Sequence, residues 1–366
     1  MKKKRIVVKI GSSSLTNDKG EIDHEKLTDH IHALVKLRQA NHEVILVSSG
    51  AVAAGFARLG YSSRPVTIKG KQAAAAVGQS LLIQSYIEKF NAFNIVPAQI
   101  LLTRNDFSNR EQYRNAFSTI TELLERGILP IINENDTVAI DELTFGDNDM
   151  LSALVSGFIH ADQLVILTDI NGLYNENPRT NPLAMKYDFL EDITDKMMEA
   201  ADSTGSKFGT GGMKSKLQAA KTALTLGIPI FIGHGQGKDK LINIIKGDGD
   251  GTYISNALIG TVNTNKQWIA LHSESAGKLY VDQGAEEAIL YNGRSLLPAG
   301  IFKVTGTFQK GDVVEVFGKN GLLGKGEVNC SSEEVKQAIE KRNEENVTDL
   351  IAPSVEVIHR NRWVEF

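Results

Sequence analysis

A single cysteine, Cys330, stands in 366 residues. One thiol cannot form an intramolecular disulfide or build a Cys-cluster zinc site, so both of those scaffold classes are excluded. Proline is scarce, 8 residues against 33 glycines, and no apolar run approaches the ~18 residues of a membrane-spanning helix. An excess of one charge is missing too: 40 Lys+Arg face 44 Asp+Glu, leaving −4 with His neutral. With no global positive field to hold a polyphosphate backbone, a dedicated nucleic-acid binder is disfavoured. The basic start Met1–Arg5 is like a signal-peptide n-region, but only Ile6-Val7-Val8 follow before Lys9, too short for an export signal. G-x-x-x-x-G-K-[ST] and a strand-borne G-x-G-x-x-G are also absent, which removes the signatures of P-loop and Rossmann nucleotide sites. The expectation is a soluble, cytoplasmic protein with no membrane partner.

What is present is ample for folding. Hydrophobic residues make up 42% and charged residues 23%, so disordered and low-complexity classes drop out. At about 150 residues per domain the length suggests two domains. The first two-thirds alternates short β-branched runs with helical patterns. Strands are expected at Arg5–Ile10, Val44–Val47, Ile95–Leu101, Leu129–Ile132, Gln163–Leu167 and Pro229–Ile232. Helices are expected after the Asp23 cap and over 50–59, 69–88, 110–126, 148–160 and 213–227. Continuous apolar strands separated by helices imply an α/β fold, a mostly parallel sheet sandwiched by helices. From about Ser275 the texture changes to short runs, Lys278–Val281, Lys303–Thr307, Val313–Phe317 and Val355–Ile358, with glycine-rich turns and one helix near Ser332–Lys341. That reads as a small C-terminal β-rich barrel. The expected domains are 1–256 and 275–353.

In open parallel sheets ligands sit beyond the carboxyl ends of the strands. Those positions hold Lys9-Ile10-Gly11-Ser12-Ser13, Ser48-Ser49-Gly50-Ala51, Asn133-Glu134-Asn135-Asp136 and Thr168-Asp169. Any one could be a solvated turn, but four together point to a site. Lys9 interrupts an apolar strand, so it either faces water on an edge strand or brings its ammonium to an anion at the strand end. The glycine-rich stretch Gly209-Thr210-Gly211-Gly212 runs into a helix carrying Lys214 and Lys216. It is either a surface loop or a phosphate cradle, in which backbone N–H groups and the helix dipole meet an anion. Oxygen-rich Asn133–Asp136 and Gly146-Asp147-Asn148-Asp149 suit a polar substrate or Mg²⁺, or are ordinary helix-cap chemistry.

Taken in order, Val8-Lys9-Ile10-Gly11-Ser12, Val47-Ser48-Ser49-Gly50-Ala51, Leu102-Thr103-Arg104, Ile132–Asp136, Gly146–Asp149, Leu167-Thr168-Asp169 and Gly209–Lys216 resemble the glutamate 5-kinase branch of the amino acid kinase family. Residues 1 to about 256 resemble its kinase domain, and the C-terminal part resembles the PUA domain that many bacterial members carry. The resemblance implies ATP with Mg²⁺ as cosubstrate and cofactor, the metal carried mainly by the nucleotide, and L-glutamate as acceptor. It places Ser49, Asp136, Asn148 and Asn133 around glutamate. It places Lys9, Thr168, Asp169 and Thr210, Gly211, Gly212, Met213, Lys214, Ser215, Lys216 around ATP. Lys9 and Lys216 would flank the transferred phosphoryl group, with Asp149 organising both. It also implies proline as a feedback inhibitor, a homo-oligomer (dimer or tetramer), and functional coupling to glutamyl phosphate reductase.

The implied reaction is chemically coherent with these residue types. A glutamate side-chain carboxyl has a pKa near 4.3, so the nucleophile is ionised at pH 7 and no general base is required. The obstacle is electrostatic, and two lysines with Mg²⁺ on the nucleotide address it. The alternatives are a relative acting on N-acetylglutamate, aspartate or a nucleoside monophosphate, or an RNA-binding regulator working through the tail. From Glu274 onward the tail holds 11 Lys+Arg against 15 Asp+Glu, a balance of −4, with no basic cluster to engage phosphates.

Overall fold

The computed structural model describes all residues except 1, 18, 20, 139–147, 177, 179–180, 204–211, 257–268, 270–274, 320, 345–355 and 366. The chain divides into two compact units, Met1–Asp106 with Glu111–Thr261, and Phe107–Arg110 with Val262–Phe366.

The first unit is built on an eight-stranded sheet. In chain order it contains β1 (Arg5–Ile10), α1 (His24–Gln39), β2 (Glu43–Ser48), α2 (Ala51–Gly55), α3 (Ile68–Asn91), β3 (Pro97–Leu102), α4 (Arg104–Ser108), α5 (Arg110–Glu125) and β4 (Leu129–Glu134). After these come α6 (Asn148–Phe158), β5 (Gln163–Leu167), the short strands β6 (Leu173–Tyr174), β7 (Lys186–Tyr187) and β8 (Phe189–Leu190), then α7 (Asp195–Ser203), α8 (Met213–Thr225), β9 (Ile230–Gly233), α9 (Lys240–Lys246) and β10 (Gly251–Ile254). The sheet order is β3-β4-β2-β1-β5-β9-β10-β8. Every neighbouring pair is parallel except β9 with β10. β1 is therefore central, with Lys9 opposite Val47 on one side and Ile166 on the other. The chain moves from β1 to β2 on one flank and later to β5 on the other, which makes the β1–β5 junction a switch point of the kind that opens a ligand crevice.

Alternation along β1 sets the two layers. Ile6, Val8 and Ile10 join the core formed with α1, α3 and α9, including Leu27, Leu34, Tyr86, Phe90 and Leu241. Val7 and Lys9 face the opposite layer, where α6 crosses β1 and packs on α8. Asp23 caps α1 by accepting from the Glu25 and Lys26 amides, as its position before the apolar periodicity implies. The alanine-rich stretch 50–59 is not one helix: α2 stops at Gly55 and a 3₁₀ turn, Ala57–Leu59, follows. The reason is tight docking. An added Cβ at Gly55 would fall 2.0 Å from the Ala74 carbonyl oxygen, so α2 lies with its backbone against α3. Short helices 104–108, 195–203 and 240–246 and the short strands β8 and β10 carry no periodicity strong enough to read from sequence.

The second unit holds a five-stranded sheet of Gly277–Val281, Ile301–Gly306, Val313–Gly318, Gly321–Val328 and Ile358–Glu365, the first and third paired parallel and the rest antiparallel. Leu279, Val281, Val314, Val316, Phe308, Val328, Ile358 and Trp363 form its core. Helices Gln283–Leu290 and Ser332–Glu344 complete it. The final strand lies later than the expected Val355–Ile358, whose start falls outside the described residues. His359, Arg360 and Arg362 make this segment look like polar surface in the sequence. Pairing with Gly321–Val328 makes it a strand, and glycine-rich Gly321–Val328 was itself not legible as one. Among the described residues no helix is long and apolar enough to cross a membrane.

Candidate active site

Parallel pairing brings the carboxyl ends of β4, β2, β1, β5 and β9 to one edge of the sheet. Backbone bonds extend that alignment past the strands: the Ser49 N–H donates to Ile10 O, Asn135 to Leu102 O and Thr168 to Gly233 O. The edge-strand alternative for Lys9 is thereby overturned, because β1 is flanked on both sides and the side chain is only 2% exposed.

The Lys9 ammonium lies 2.6 Å from Asp149 Oδ1, and the Lys216 ammonium lies 3.0 Å from Asp149 Oδ2. Asp149 is fully buried and Lys216 is 7% exposed. Three elements meet at this one carboxylate. β1 supplies Lys9, the first turn of α6 supplies Asp149, and the first turn of α8 supplies Lys216. Two ammonium groups meet one carboxylate in a region shielded from water, where charge acts on an incoming anion more strongly than at the surface. Ser215 Oγ approaches Asp149 Oδ2 at 3.5 Å and donates to Gly212 O at 2.8 Å. Gly212 is the N-cap of α8, Met213 opens the helix, and Lys214 points outward and is exposed. Thr210 and Gly211 lie outside the described residues, as do Gly146 and Asp147. Thr168 is buried, its hydroxyl 3.2 Å from Asp169 Oδ1.

Asn148, offered by the sequence as a possible cap, is not one. Its Nδ2 donates across the sheet edge to Ser48 O at 2.8 Å and Asn133 Oδ1 at 2.7 Å, with Ser49 Oγ at 3.2 Å. Asn133, Asn148 and Ser49 therefore gather at the ends of β4 and β2. Asp136, in the turn after β4, has a carboxyl pushed up to about 6 by burial. A carboxylate in such surroundings is ready for a cationic partner, which would restore its charge.

The amino acid kinase family profile matches residues 4–234 and the PUA domain profile matches residues 277–350. The chain belongs to the amino acid kinase family. Its curated relatives include glutamate 5-kinase 1 of Bacillus licheniformis, 62% identical over 364 residues, covering 100% of this chain and 99% of that one. Glutamate 5-kinase 1 of Bacillus subtilis is 61% identical, at 100% and 99% coverage, and glutamate 5-kinase of Oceanobacillus iheyensis is 60% identical, at 100% and 97%. The structure of UMP kinase from Ureaplasma parvum is similar at TM-score 0.48 and 15% identity, covering 70% of this chain and 100% of that one, a likeness too slight to carry a functional reading.

Within this amino acid kinase the strand-end motifs do not account for the whole site. Gln79 on α3 accepts from Asn133 Nδ2 at 2.7 Å, and the Tyr86 hydroxyl bonds Ser48 Oγ at 2.8 Å. Desolvation raises the Tyr86 phenol far above its usual range, so it is neutral and serves as a hydrogen-bonding group. Both residues sit in a helix whose pattern reads as packing, and no sequence signal marks them.

Proposed function

We propose that this chain transfers the ATP γ-phosphoryl group to the γ-carboxylate of L-glutamate, giving L-glutamyl 5-phosphate and ADP as the first step of proline biosynthesis in the cytoplasm. The buried Lys9–Asp149–Lys216 cluster, at the sheet edge beside the Asn133–Asn148–Ser49 group, is the observation that carries this reading. A γ-carboxylate oxygen forms the new bond to phosphorus as the bond to the bridging oxygen of ADP breaks. No proton need move, because the acceptor is already ionised at neutral pH. Lys9 and Lys216 offset charge on the transferring oxygens and the leaving group, and Asp149 keeps the two ammonium groups from repelling each other apart. Thr168, Asp169 and the segment Thr210–Lys216 hold the nucleotide, with the α8 N-terminus facing its phosphates. Asp136 and the Asn148 carbonyl receive the α-ammonium.

Among the described residues no group of three or more His, Cys, Asp or Glu side chains could hold a metal, and both Asp149 oxygens already face lysines. Mg²⁺ would be carried mainly by the nucleotide, whose phosphate oxygens are the hard ligands it takes, and there it would offset phosphate charge. Proline as feedback inhibitor, assembly into a homo-oligomer, and hand-over of the labile acyl phosphate to glutamyl phosphate reductase complete the proposal. So do the domain limits 1–256 and 275–353.

The test is ADP release with L-glutamate, D-glutamate, aspartate and N-acetylglutamate, each with and without proline. Turnover with L-glutamate alone, suppressed by proline, is the expected result. N-acetylglutamate lacks the ammonium that Asp136 would pair, so preference for it would overturn the substrate assignment.

A further inference from the structure

The amide network around Asn148 has a polarity fixed at both ends by backbone groups. The Glu134 N–H donates to Asn133 Oδ1 at 2.9 Å, which makes that atom an acceptor. The Ser48 carbonyl accepts from Asn148 Nδ2 at 2.8 Å, which makes that atom a donor. Asn148 Nδ2 then donates to Asn133 Oδ1, and the Asn133 NH₂ group is left to face Gln79 Oε1 at 2.7 Å. Turning either asparagine amide over would set donor against donor or acceptor against acceptor. The two Asn148 protons go to Ser48 and Asn133, with the longer 3.2 Å contact to Ser49 Oγ sharing one of them. The Asn148 carbonyl oxygen is then the atom left for a ligand, and it suits a donor such as an ammonium group.

Gln79 supplies the terminal acceptor of this chain from α3, an element that contributes no strand-end motif. Its reach is set by its neighbour. A Cβ on Gly78 would fall 1.8 Å from the Ala51 carbonyl oxygen, so a glycine is required for α3 to lie this close to α2. Ala51 follows Ser48 by three residues, and the path closes on itself: Ser48, Asn148, Asn133, Gln79, then Gly78 against Ala51.

We propose that Gln79 is a positioning residue for the amino-acid substrate. By holding the Asn133 carboxamide in one of its two orientations, it holds Asn148 with its carbonyl oxygen toward the substrate's α-ammonium. This rests on Asn148 serving the glutamate site, and the experiment separates the two claims.

Four variants are compared by steady-state kinetics on the full chain. Gln79→Leu keeps the bulk and removes the acceptor, so KM for glutamate rises about 10-fold, KM for ATP stays within about 2-fold and Tm is near wild type. Gln79→Glu keeps an acceptor oxygen and stays within about 3-fold of wild type in KM for glutamate. Asn133→Asp alone is partly accommodated, because Gln79 can rotate its NH₂ group toward the new carboxylate. The double variant Gln79→Glu/Asn133→Asp sets two carboxylates face to face, and its loss exceeds the product of the single losses by about 10-fold or more. If Gln79→Leu does not fold, the double variant against its two singles carries the test alone. A Gln79→Leu enzyme indistinguishable from wild type, equal rises in both KM values, or strictly multiplicative double-variant losses would overturn the role of Gln79. Absence of glutamate-dependent ADP release in the wild-type protein would instead overturn the proposed function.

Discussion

Lysine ammonium groups are put to opposite uses in the two units of this protein. At the sheet edge of the first unit, Lys9 and Lys216 are nearly inaccessible and converge on one fully buried carboxylate. On the second unit's sheet, Lys278 and Lys303 stand over aromatic rings, 5.0 Å from the Phe317 centroid and 4.9 Å from the Tyr280 centroid. Lys278 also pairs with Glu315 at 3.5 Å while remaining 48% exposed. The chemical group is the same, and the difference is dielectric surroundings. Water screens the outer lysines, so each contact contributes a fraction of a kcal/mol to about 1 kcal/mol. Within the first unit the desolvation cost is large, and the three groups offset it together. Reactive electrostatics comes from that interdependence, and surface contacts do not supply it.

The comparison is tested most severely by Asp149→Ala. It takes from two buried ammonium groups the carboxylate they share, so stability in a urea titration should fall by about 3–5 kcal/mol and turnover should be lost. Asp149→Ala with near-wild-type stability would mean that the cluster is not coupled. Next in size, Lys9→Ala and Lys216→Ala should each give a folded enzyme with kcat lowered about 10²-fold or more, read from single-turnover ADP formation. Full activity in either would remove that lysine from the mechanism.

Asp136 sharpens the contrast from the substrate side. Its carboxyl has been raised to about 6 by burial alone, and only the ionised form pairs with an ammonium. The fraction able to bind is high at pH 7 and falls about tenfold for each unit below 6, so KM for glutamate should climb as the pH drops through 6. KM for ATP should not follow. Asp136→Asn should raise KM for glutamate at pH 7 and abolish that pH dependence. A wild-type profile flat between pH 5 and 7 would dissociate Asp136 from the ammonium.

The smallest effects belong to the second unit. Lys278→Ala, which loses both surface contacts, should change stability by no more than about 2 kcal/mol and kcat not at all. A chain ending near residue 260 should retain glutamate-dependent turnover within about tenfold when folded. The isolated segment 275–366 should show no submicromolar, salt-sensitive RNA binding, since its charge balance is acidic.

The amino-acid sequence by itself determined a good deal. Apolar runs such as Ile6–Val8 and Leu164–Leu167, separated by helical patterns, point to a parallel sheet covered on both faces, and the small or oxygen-bearing residues that follow them mark the ligand edge. Asp23 announced the start of α1 because capping is a local hydrogen bond. Long-range placement was out of its reach. Whether Lys9 faced water or an anion depended on β1 being central, which strand order decides. Whether Asn148 capped its own helix or reached Ser48 depended on a partner 100 residues away in sequence. Gln79 and Tyr86 enter the site because two glycines let α3 lie against α2. Local patterns record what a residue needs from its immediate neighbours. The partner that satisfies a buried polar group is chosen by packing, and packing is a property of the folded chain.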